Sequence, residues 1–125
     1  MNFRSLIPGH LKVLERLYLA DRASFEALAA VAQERLRQIE VEGLKPAGDD
    51  RLAQGSLERF SACYLCASVG FPFLFPPKPE GQKEPVELFP RQEFQDKRRF
   101  HPSIRLLEIG VATSLAALAK VYRKG

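Results

Sequence analysis

The placement of its prolines constrains this chain more than any other feature. Seven of the nine, Pro72, Pro76, Pro77, Pro79, Pro85, Pro90 and Pro102, fall within residues 70–102. Proline has no amide hydrogen to donate and its ring clashes with the preceding turn, so no long helix crosses that stretch. The chain is therefore read as a proline-poor first part, an extended arm over 70–101 and a closing segment. The arm also holds six of the nine phenylalanines.

Outside the arm the apolar residues recur every three or four positions, the period of a helix with one buried face. Leu11, Leu14, Leu17 and Tyr18 predict a helix over about 8–20, with Pro8 in its first turn. Phe25, Leu28, Ala32, Leu36 and Ile39 predict a second over about 24–42, capped by Asp21 or Ser24 and closed by Gly43. Leu52, Leu57, Phe60, Tyr64 and Ala67 predict a third over about 50–69, capped by Asp49 or Asp50, with Gly55-Ser56 as the point where it would split. The last, over about 102–122, carries Ile104, Leu107, Val111, Leu115, Leu118 and Tyr122 on one stripe and Leu106, Ile109 and Thr113 on another.

A helix apolar nearly all round is buried, so this last helix is expected at the centre of the core. Gly110 with Ser114 and Ala112 with Ala116 would let another helix approach closely. Two readings stand open: the domain wraps this helix, or two copies pair along it as a homo-oligomer. The expected fold is mainly all-α, an irregular four-helix bundle in one domain over 1–125. Its arm is either extended or a small β-hairpin of Phe73 to Phe75 with Val86 to Phe89.

Composition bounds the rest. Hydrophobic residues make up 46% and charged residues 27% of 125 residues, the balance of a folded domain. The net charge of +4 is unevenly spread, about −1 over residues 1–50, +2 over 51–100 and +3 over 101–125. The only cysteines are Cys63 and Cys66, and no basic segment followed by an apolar signal core opens the chain, so a cytoplasmic setting is expected. The apolar run from Ile109 to Ala119 falls short of the ~18 residues that span a bilayer. No membrane partner is expected.

Lys97, Arg98, Arg99 and Arg105 form a basic group at the start of the last helix, and Lys120, Arg123 and Lys124 another at its end. Arginine and lysine neutralise phosphates and nearby aromatic rings stack on bases, which makes these seven the candidate nucleic-acid or anion contacts. Cations at a helix C-terminus also complement its dipole without any ligand. Phe71, Phe73, Leu74, Phe75 and Phe89 form the candidate protein-partner surface, or else a lid over the core.

Cys63 and Cys66 have CxxC spacing and, with the only two histidines, His10 and His101, would complete a Cys2His2 zinc set. They lie inside an apolar helical run, where paired thiols that simply pack are the reading adopted. Gln33 to Glu40 resembles the recognition-helix end of the DNA-binding region of bacterial sigma factors, and Ser24-Phe25-Glu26 the start of that helix-turn-helix. The likeness covers about twenty residues, is about three residues too short between its parts and lacks a turn glycine at Ala29 to Ala32. The stretch is accordingly read as one continuous helix with Arg35 and Arg37 facing solvent.

No glycine-rich phosphate loop, nucleophile elbow or paired catalytic carboxylate is present, so neither catalysis nor a cofactor is expected. The expectation is a small non-enzymatic accessory or regulatory protein whose partner is a nucleic acid or a protein. The alternative is a protein-interaction or self-associating structural module using the Phe-rich arm and the apolar last helix, and the third is a Cys2His2 metal-binding domain.

Overall fold

The computed structural model of the chain describes residues 3–70, 74–75, 86–87, 89–90 and 93–124, with the backbone alone at 3–6, 74–75 and 86–87. The fold is mostly helical, as the periodicity predicts. Its helices are α1 (Phe3–Ala20), α2 (Arg22–Glu40), α3 (Pro46–Arg51), α4 (Ser56–Ala67) and α5 (Ser103–Lys124), with a 3-10 turn at Arg98–Phe100 leading into α5. Two-residue strands β1 (Leu74–Phe75) and β2 (Val86–Glu87) pair antiparallel, Leu74 opposite Glu87 and Phe75 opposite Val86. Phe71, Phe73 and the stretch from Lys78 to Lys83 lie outside the described residues.

Several boundaries differ from the periodicity, each for a local reason. α1 begins five residues before Pro8, which sits inside it. So close to the helix start, the ring removes a single amide donor from the ladder. The expected third helix is two, α3 and α4, because Gly55 turns into the left-handed region at φ 85° and starts α4 afresh. Lys45, not Asp49 or Asp50, occupies the cap position of α3, whose first helical residue is Pro46. Gly43 closes α2 at φ 74°. Asp21 stands at the cap of α2, and its carboxylate accepts the Ser24 hydroxyl.

The core lies between α4 and α5, the most extensive interhelical contact. Phe60, Cys63 and Tyr64 of α4 pack with Leu106 and Ile109 of α5, and Phe89 from the arm closes the cluster. The Phe60 and Tyr64 rings stack at 4.4 Å, with Phe94 tilted over Phe60 at 4.7 Å. Leu57 meets Ala116 and Ala117 one turn further along. The small residues of α5 explain the closeness: a Cβ at Gly110 would stand 2.8 Å from Leu65 Cδ2. At the same place Ser61 donates its hydroxyl to the Gly110 carbonyl at 2.7 Å.

α2 reverses the expectation. Its buried residues are Val31, Glu34, Arg35 and Gln38, while Leu28, Ala32 and Leu36 are exposed. Arg35, expected in solvent, is buried and donates to Asp49 of α3 at 2.6 Å. Glu34 receives Arg105 of α5 at 2.7 Å and Arg37 at 2.8 Å, and Gln38 adds a donor at 3.2 Å. Among the described residues no buried side-chain polar atom lacks a hydrogen-bond partner. Buried charge is tolerable only when it is paired in this way. α1 packs on α2, with Tyr18 edge-on to Phe25 at 5.4 Å.

Candidate functional site

The last helix is where fold and surface meet. At 100° per residue, Leu106, Ile109, Thr113 and Ala117 fall on one side of α5, and Ile104, Leu107, Val111, Leu115, Leu118 and Tyr122 on the other. The first set is buried. Each residue of the second set is between 39% and 75% exposed, so the outer stripe is not core, contrary to its expected place. The residue sizes decide which face turns inward, because Gly110, Ala112 and Ala116 admit α4 and the bulky stripe does not. Val121, 61% exposed, flanks the stripe.

Charge near this face is already satisfied within the fold. Between Ile104 and Tyr122 the charged residues are Arg105, Glu108 and Lys120. Arg105 bridges Glu34 and Glu108, and Lys120 donates to the Leu52 carbonyl at 3.0 Å. The hydrogen bonds it donates to Glu108 and Glu34 hold the Arg105 guanidinium above its ordinary range. The outer face is therefore apolar without stray cations to desolvate.

The seven basic residues do not form one free anion surface. Arg98 pairs with Asp96 at 2.6 Å and lies 4.9 Å from the centre of the Phe89 ring. Arg123 pairs with Asp50 at 2.8 Å, which holds the Asp50 carboxyl below its usual range. Arg105 and Lys120 are engaged as described. Lys97, Arg99 and Lys124 are exposed, with Arg99 4.8 Å over the ring of Phe100. Those exposed three sit at opposite ends of a helix ~33 Å long.

Of the arm residues, Phe89 is buried against Phe60 and Tyr64, which commits it to the core as a lid. Leu74 and Phe75 lie in β1, and Phe71 and Phe73 are outside the described residues. Cys63 is fully buried and Cys66 half-buried in α4, while His10 is exposed on α1 and His101 precedes α5. Among the described residues no three histidine, cysteine or acidic side chains gather as a metal site. Nor is any described helix long and apolar enough to cross a membrane.

A cleft of about 320 Å³ opens between α2, α4 and the residues before α5, lined by Gln38, Tyr64, Phe94, Lys97 and His101 among others. Burial pushes the Tyr64 phenol up, so it stays protonated, and its oxygen accepts the Lys97 amide at 3.2 Å. Arg37 at the rim is held by Glu34 and Glu42. Comparison with known protein families, characterised proteins and solved structures finds no match to the chain.

Proposed function

We propose that the chain is a small non-enzymatic accessory protein that works by binding a protein partner, and that the outer face of α5 is the docking surface. The observation that carries this reading is the row of six large apolar residues, Ile104 to Tyr122, on the side of α5 opposite its core face. A contiguous row of exposed large apolar side chains marks an interaction site. A protein partner is favoured over nucleic acid because four of the seven candidate cations, Arg98, Arg105, Lys120 and Arg123, are engaged within the fold. A regulatory role fits a surface separate from the core, since docking there leaves the core packing untouched.

The test is photo-crosslinking in the cells that make the protein, with the reactive side chain at Leu115 and a control at the exposed Arg51. The expected result is a protein adduct from Leu115, absent from Arg51 and lost when Leu107 and Leu118 are both changed to lysine. Adducts with nucleic acid alone, or none above the control, would overturn the reading.

A further inference from the structure

We infer that the partner on the outer face of α5 is a second copy of this chain, packed antiparallel as a two-fold dimer. This rests on the docking reading above and names its occupant. Three observations carry it.

The first is the spacing of the stripe. Ile104 and Leu115, Leu107 and Leu118, and Val111 and Tyr122 are each eleven residues apart. An eleven-residue apolar repeat corresponds to ~3.67 residues per turn, close to the natural helix, so the seam runs nearly straight along α5 and suits a second straight helix.

The second is its symmetry. A two-fold interface requires one surface to complement itself. Ile104 and Tyr122 lie nine residues either side of position 113, Val111 and Leu115 two either side, and Leu107 and Leu118 six and five. Reversing the helix therefore sets Ile104 against Tyr122, Leu107 against Leu118 and Val111 against Leu115 of the other copy. A parallel pair would align the two helix dipoles, which the antiparallel pair opposes.

The third is area. The six residues expose on the order of 600 Å² per chain, to which Val121 adds, against ~800 Å² per partner in a stable interface. The charges along the seam are paired within their own chain, so closing it strands none.

The test is sedimentation of the full chain over a range of concentrations, with Leu107→Lys/Leu118→Lys as the variant and circular dichroism to confirm its helicity. The parent is expected to pass from the 14.1 kDa monomer to twice that mass, to hold the dimer at high salt, and to lose at least ~100-fold in affinity in the variant. In a Cys66→Ser background, Ile104→Cys and Tyr122→Cys proteins should form a disulfide with each other on mixing and neither should do so alone. The two Ile104 positions of an antiparallel pair stand ~27 Å apart, far beyond the ~7 Å limit for a bridge. A single 14.1 kDa species at every concentration would overturn the second-copy inference, and Ile104→Cys bridging to itself would overturn the antiparallel arrangement. A monomer that still yields the Leu115 adduct leaves the docking reading intact, so the two failures are distinguishable.

Discussion

Replacing Gly110 with valine is expected to lower the free energy of unfolding by about 3 kcal/mol, measured by chemical denaturation. Even the first added carbon, the Cβ, would meet Leu65 Cδ2 at 2.8 Å, Cγ at 2.9 Å and the Leu65 amide nitrogen at 3.3 Å. The methyl end of Leu65 can rotate away, but its Cγ and backbone retreat only if α4 and α5 move apart. That movement would disturb the Ser61 bond to the Gly110 carbonyl and the Phe60 to Ile109 cluster. Gly110→Ala should cost less, because alanine recovers ~1 kcal/mol of helix propensity. Adding Leu65→Ala to Gly110→Ala should cost less than the sum of the two single changes, since the first opens room for the second. Strict additivity would contradict the close contact.

Glu34→Ala is the other large effect, expected at about 3 kcal/mol, near the lower end for breaking a buried ion pair. The Glu34 side chain is 1% exposed, and its loss leaves donors of Arg37, Arg105 and Gln38 facing a void. The two arginines retain Glu42 and Glu108, which limits the damage. Burial alone would raise the Glu34 carboxyl, but hydrogen bonds and charge from Arg37 and Arg105 hold it below its ordinary value. A carboxyl depressed in the folded state contributes stability above its unfolded value and loses it as pH falls through the folded one. The parent should therefore weaken on acidification below about 4.5, and Glu34→Ala should weaken less over the same window. Equal pH dependence in the two proteins would contradict the assigned role.

Part of this architecture was legible in the sequence. Leu57, Phe60 and Tyr64 recur at helical period and are buried, and Gly43 and Gly55 mark turns through their positive φ. α2 was misread for a physical reason. Periodicity ranks faces by apolarity, whereas Glu34 and Arg35 are drawn inward by Arg105 and Asp49, partners 71 and 14 residues away that no local pattern reveals.

The candidate surface was half legible. Both faces of α5 are apolar, so hydrophobicity alone placed the whole helix in the core. The distinguishing signal is the small residues Gly110, Ala112 and Ala116, which sit among Leu106 and Ile109 on the face that meets α4 and let it come close. The basic groups at the ends of α5 were visible as charge. The partner of Arg98, Asp96, lies two residues away, but Asp50, 73 residues from Arg123, becomes apparent only once the chain is folded.

The docking proposal gives α5 one face for folding and an opposite face for docking. Its most direct test compares the unfolding free energies of Leu107→Gln/Leu118→Gln and of Leu106→Ala, under dilute conditions where the chain is a monomer. The outer double change is expected to leave stability within about 0.5 kcal/mol of the parent, while the single inner one costs ~2–5 kcal/mol. A loss of several kcal/mol from the outer pair would mean that the stripe belongs to the core, and the docking surface would go with it.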